Sequence, residues 1–186
     1  MTSPYDIQTY LLDRANIHDT VTRMAICIDT RSTEGMVRDV YAPQVEIDYT
    51  SLLGGEPSRM TGEAWARSLE PMGEAFDSTQ HVYTSFLIEL PQPSSPSSPA
   101  RNASARPDSC TVVAYGCAHM TRKGAEGDSM IHNGGIVYFE VTRLGELEEQ
   151  GKNPWRISKQ RAVKIWEEGN KELMKPLAAI SAPISE

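Results

Sequence analysis

From Ile7 to Asp29, Ile7, Leu11, Arg14, Ile17, Val21, Met24 and Ile28 recur every three or four residues, apolar at all but Arg14. Asp13, Asn16, Thr20 and Arg23 fall between them. This spacing predicts one long amphipathic helix, ending where Thr30-Arg31-Ser32-Thr33 interrupts it. Ser32 or Thr33 caps a short second helix that runs to Val40 and is closed by Pro43. Val45-Glu46-Ile47-Asp48-Tyr49 changes the period to two, the pattern of a half-buried strand. Leu53-Gly54-Gly55-Glu56-Pro57 is a turn. Thr61 opens a third helix through Trp65 and Leu69, which Pro71 and Gly73 cut short. Four β-rich runs follow, His81–Leu90, Thr111–Arg122, Met130–Val141 and Trp155–Trp166, with a hairpin turn at Gly124–Asp128. A tail helix near Lys171–Ala179 closes the chain. Helices first and antiparallel strands afterwards is an α+β order.

Between the first two β-rich runs lies Pro91–Ser109, with 5 Pro and 6 Ser among 19 residues and no apolar side chain larger than Ala. Such a segment buries too little surface to offset its ordering entropy and reads as a flexible insertion in a hairpin. A linker between two domains is the rival reading; it fails because Met1–Leu90 has too few strands to close a fold. One domain spanning 1–186 results. In the tail, Leu173, Met174, Leu177 and Ile180 keep helical spacing, and they are expected to cover a pocket mouth or a neighbouring subunit.

Charge narrows the partners. The 18 Lys and Arg against 25 Asp and Glu leave a net −7, which argues against nucleic acid. No window is apolar over the roughly 18 residues a membrane helix needs, and Met1–Asp13 lacks a signal-peptide layout. No membrane partner and a cytoplasmic location are the expectations. Cys27, Cys110 and Cys117 have no paired spacing and read as small buried hydrophobes. No metal-ligand motif is present, so no metal site is assigned.

Strand parity puts Val45, Ile47 and Tyr49 on one face, His81, Tyr83, Ser85 and Leu87 on another, and Val113, Tyr115, Cys117 and His119 on a third. Turned towards one concavity, these faces line an apolar small-molecule pocket with two imidazoles and several phenols. Spacing does not settle whether all three turn inward; taken alone, His81 and His119 read as satisfied core or surface residues and Tyr49, Tyr83 and Tyr115 as core aromatics.

Ala25-Ile26-Cys27-Ile28-Asp29, Tyr41-Ala42-Pro43, the strand Val45–Tyr49 and Asp77-Ser78-Thr79-Gln80-His81 resemble the SnoaL-like branch of the NTF2-like superfamily. Trp155-Arg156-Ile157-Ser158 and Val163–Asn170 fit the same pattern in the same order. The resemblance implies a cone-shaped α+β barrel, with helices closing a bent antiparallel sheet over a deep pocket, and no cofactor. The nearest functional template it resembles is the scytalone dehydratase family. That likeness places a catalytic histidine on His81, a second on His119, its orienting carboxylate on Asp29 and a carbonyl-polarising tyrosine on Tyr49. Where the family has a second tyrosine this chain has Ile28, and the family's Ser and Asn positions fall on Asn133 and Gly135.

The implied activity is that of a lyase or isomerase acting on an apolar cyclic, polyketide-like metabolite by dehydration or enolisation. His81 is the base, His119 with Asp29 the acid, and Tyr49, Asn133, Tyr83 and Tyr115 contact the substrate. A cyclase or rearrangement catalyst, and a non-catalytic binding or adaptor module, are the alternatives. A homodimer or homotrimer through the outer sheet face is expected.

Overall fold

A computed structural model describes residues 5–93 and 105–181. Helix α1 (Ile7–Asp29) starts at Asp6, whose side chain accepts from the Thr9 N–H. It ends where Arg31 takes a left-handed backbone (φ 56°). Helix α2 (Thr33–Asp39) delivers the chain to strand β1 (Tyr41–Asp48), which begins four residues before the alternating run shows it. A one-turn helix α3 (Thr50–Leu53) and a short strand β2 (Ser58–Thr61) follow. Thr61 caps α4 (Gly62–Ser68) by accepting from the Ala64 N–H, and Pro71 sits in the first turn of α5 (Glu70–Ala75).

The long strands are β3 (Ser78–Ile88), β4 (Ser109–Thr121), β5 (Met130–Arg143) and β6 (Trp155–Gly169), with a short helix α6 (Gly145–Glu149) before β6. They form one six-stranded sheet in the order β2-β1-β6-β5-β4-β3. All neighbours are antiparallel except β1 and β6, which run parallel with Tyr41 beside Ile157. The sheet is therefore mixed, not wholly antiparallel, and it is not closed into a barrel. Register irregularities bend it, and two of them matter for the site. Ser85 adopts a left-handed backbone (φ 56°) at a bulge in β3, and Ile165 is an extra residue of β6 opposite Gly134–Gly135.

The core fills the concave side, where Ile17, Val21 and Met24 of α1 are buried together with Trp65, Val112, Ile131, Phe139 and Ile157. The wet side predicted for α1 is not wet throughout. Asp13 and Thr20 are fully buried, Thr20 donating to the Trp155 carbonyl. Asp13 accepts from Tyr5, from Trp155 Nε1 at 2.9 Å and from Arg106 at 2.7 Å. Arg106 also pairs with Glu148, which Arg143 holds at 2.8 Å. So the expected insertion is tied down at its far end. Arg106 is paired with Asp13 and Asp108 with Arg143, and Ser109 already belongs to β4. Positions 94–104 lie outside the described residues, as do Pro183 and the Ile180 side chain.

The tail is a 3-10 helix (Lys171–Ser181) with Leu173 and Leu177 buried. No helix among the described residues is long and apolar enough to cross a membrane.

Candidate functional site

The pocket sits between the concave sheet face, α3, the α4–α5 junction and the C-terminal 3-10 helix. Register decides which side chains reach it. Thr79, His81 and Tyr83 of β3 stand opposite Met120, Ala118 and Gly116 of β4, and Ala118 stands opposite Asn133 of β5. Small residues on β4 leave room for the large rings of β3. A Cβ on Gly116 would lie 2.9 Å from the Tyr83 ring.

Asp29, the last residue of α1, reaches the first turns of β3. Its carboxylate accepts from His81 Nδ1 at 2.7 Å, from the His81 backbone N–H at 2.7 Å and from Thr79 Oγ1 at 3.0 Å. A carboxylate at a helix C-terminus opposes the helix dipole. Three donors in a largely dry setting, with the two side chains 21% and 14% exposed, offset that cost and fix the imidazole tautomer. With Nδ1–H committed to Asp29, Nε2 carries the lone pair.

Tyr49 and Tyr83 line the same cavity. Tyr49 packs edge-on against Trp65, and its hydroxyl accepts from Gln160 Nε2 at 2.5 Å, leaving its own proton for another acceptor. Burial pushes both phenols well above their usual pKa, so they remain proton donors in hydrogen bonds. Asn133, buried on β5, adds an amide to the lining. Leu52, Leu69, Met72, Val137, Met174 and Leu177 supply apolar wall around about 760 Å³ of unfilled space, mouth included. Met174 and Leu177 make the tail a cover for the pocket, as its apolar spacing predicts.

Two expected site residues lie elsewhere. His119 points to the convex face, where its ring sits 5.4 Å from that of His132, and it borders an open groove that Asp29 also touches. Asp29 orients His81 instead of His119. Tyr115 is also on the convex face and 53% exposed. The reason is parity: Cys110, Val112, Ala114, Ala118 and Met120 are the buried set of β4, and Tyr115 and His119 belong to the other set. In β3 the bulge at Ser85 breaks the assumed alternation. Leu87 therefore faces solvent and Ile88 is buried.

Lys164 and Glu167 of β6 were missed by spacing. Lys164 lines the cavity and its Nζ lies 3.0 Å from Glu167 Oε2. The neighbouring apolar pair Ile165-Trp166, both exposed, is the trace of the bulge that turns them inward.

The class is defined by this fold and by its match in sequence. A family model described as a SnoaL-like domain matches residues 9–161, and the chain belongs to that family. The fold is NTF2-like.

Among solved structures it is similar to the Kfla4162 protein of Kribbella flavida (19% identity, TM-score 0.68, covering 91% of this chain and 96% of that one). It is similar to a scytalone dehydratase-like protein of Novosphingobium aromaticivorans (13%, TM-score 0.63, 88% and 91%). It is also similar to the hexachlorocyclohexane dehydrochlorinase LinA-type3 of Novosphingobium barchaimii (15%, TM-score 0.62, 87% and 92%). No curated protein matches the sequence.

Proposed function

We propose that the protein is a lyase or isomerase that needs no cofactor, with His81 as the base and Asp29 as the group that orients it. The substrate is an apolar cyclic, polyketide-like metabolite with an acidic C–H next to a carbonyl. The observation that carries this reading is the Asp29–His81 contact at 2.7 Å on the wall of a mainly apolar cavity. His81 Nε2 takes the proton, and the C–H electron pair moves into a new carbon–carbon double bond as the carbonyl becomes an enolate. Tyr49 and Asn133 hydrogen-bond the enolate oxygen, with Tyr83 beside them. In a dehydration the enolate then collapses back to the carbonyl and expels a β-hydroxyl, which receives the proton from the His81 imidazolium. In an isomerisation that proton returns to a different carbon. One imidazole serves as base and then acid, so no role is left for His119. The names dehydratase and dehydrochlorinase carried by two proteins of the same fold both denote eliminations, which supports the lyase side.

The test is turnover of 5-nitrobenzisoxazole, an apolar aromatic whose ring C–H proton is lost to a base while its electron pair forms a nitrile, the N–O bond breaks and the ring opens to a coloured cyanophenolate. The expected result is catalysis well above that of free imidazole at the same concentration, lost in His81→Ala. Wild-type turnover no faster than imidazole supports a binding module instead, and an unchanged rate in His81→Ala removes His81 as the base.

A further inference from the structure

On a regular strand, residues three apart face opposite sides. Lys164 and Glu167 are three apart in β6, yet both face inward. Gln160, Ala162 and Lys164 alternate on the concave face, and the extra residue Ile165 resets the alternation so that Glu167 rejoins it opposite Asn133. The bulge depends on Gly135, where a Cβ would lie 2.0 Å from the Val163 carbonyl oxygen. The Lys164 backbone N–H is pinned to Ser51 Oγ at 2.9 Å.

The result is an ammonium 27% exposed in a mainly apolar wall, 3.0 Å from a carboxylate only 11% exposed. Lys171, exposed to solvent, approaches the other Glu167 oxygen at 3.7 Å. Glu167 thus divides its charge between two ammonium groups, and only Lys164 lines the cavity. A partly buried ion pair is a poor route to stability, because desolvation consumes most of its Coulombic gain. Bulges gather where a side chain must be re-aimed.

We propose that Lys164, held by Glu167, anchors an anionic oxygen of the substrate. The substrate class is then an apolar ring system bearing a carboxylate or an acidic enol, its charged end at β6. This rests on the pocket being the substrate site proposed above, and it adds a charge requirement that the His81 base does not create. Glu167 is a positioning residue: it holds the ammonium in place through an ion pair and does not itself bind the anion.

The experiment compares binding of three probes by tryptophan fluorescence or ligand-detected NMR: 2-naphthoate, 4-hydroxycoumarin as an acidic enol, and 2-naphthylmethanol as a neutral match. At least one anion is expected to bind about ten-fold or more tightly than the alcohol. Which one it is separates the carboxylate from the enol. Lys164→Met removes the preference while still binding the alcohol, which also reports an intact pocket. Lys164→Arg restores the preference, and Glu167→Gln weakens it, because the ammonium keeps its charge but loses its fixed place. Should Lys164→Met not fold, Lys164→Gln replaces it, and the wild-type comparison stands by itself.

Equal affinities, no binding of any probe, or a preference surviving in Lys164→Met or Lys164→Gln would overturn the proposal. A failed benzisoxazole assay with the anion preference intact removes the base and leaves the anchor; the reverse removes the anchor alone.

Discussion

The two faces of the sheet each carry a histidine beside a carboxylate, yet the surroundings differ. On the concave face His81 meets Asp29 at 2.7 Å, the carboxylate is held by two further donors, and both side chains are mostly buried. On the convex face His132 Nε2 lies 3.4 Å from a Glu168 that is 79% exposed, with the half-buried His119 ring tilted beside it. Water screens the second pair and lets its carboxylate wander, so the contact has little energy and no fixed geometry. The first is pre-set. Functional groups of the same type, two strands apart, thus acquire different chemistry from the face they occupy.

The comparison breaks most visibly in turnover. His81→Ala should lower the benzisoxazole rate by about 10²–10⁴-fold, the usual weight of a positioned base. His119→Ala should leave it within about two-fold, since its ring does not line the pocket. Asp29→Asn should fall between them, because the ring stays while its tautomer is no longer fixed. A His119→Ala loss as large as that of His81→Ala would put the convex histidine back in the mechanism.

A second contrast uses glycines. Gly116→Ala drives a methyl into the packed Tyr83 ring, which itself meets Phe139 edge-on, and should cost about 1–3 kcal/mol in denaturant unfolding. Gly134→Ala meets the Trp166 ring at a nominal 2.6 Å. That ring is 41% exposed and free to swing out, so the cost should stay below about 1 kcal/mol. Equal costs would show the convex face to be as tightly packed as the concave one.

Alkali sharpens the difference further. Burial pushes the Cys110 thiol up to about 12 and the Tyr41, Tyr49 and Tyr83 phenols above their usual range. Groups whose folded pKa is raised contribute stability that is complete below their unfolded pKa and is lost as pH rises towards the folded one. Unfolding free energy should therefore decline from about pH 9, first through Cys110 and above pH 10 through the phenols. Cys110→Ala should flatten the early part of that decline in a pH series of urea titrations.

The smallest effect concerns assembly. We propose that a second copy covers the convex face, where Val82, Tyr115, Tyr138, Ile165 and Trp166 stand exposed, giving the expected homodimer or homotrimer. Light scattering should return a multiple of 20.6 kDa, lowered by Tyr115→Glu; a monomer at micromolar concentration removes the idea.

Legibility in the sequence followed the physics of each element. The stripe on α1 and the Thr61 cap were visible because helix period and capping are local. The faces of β4 were not. Its inward set is Gly116, Ala118 and Met120, small where His81 and Tyr83 need space, while the outward set holds Tyr115 and His119. Hydrophobic size therefore pointed to the wrong side. The Ser85 bulge has no signature, since serine rarely takes that backbone. Lys164 and Glu167 were unreadable for a related reason: one extra residue turned an opposed pair into neighbours.

The parallel pairing of β1 with β6 reaches into synthesis. Tyr41 waits for Ile157, more than a hundred residues later, and α1 leans on the same late strand through Thr20 and Asp13 against Trp155. Until that strand leaves the ribosome, the first helix can lean on α2 and β3 but lacks the Trp155 contacts that hold its buried Asp13 and Thr20. The sheet is thus completed late, and the nascent amino-terminal half is a natural client for chaperones until β6 arrives.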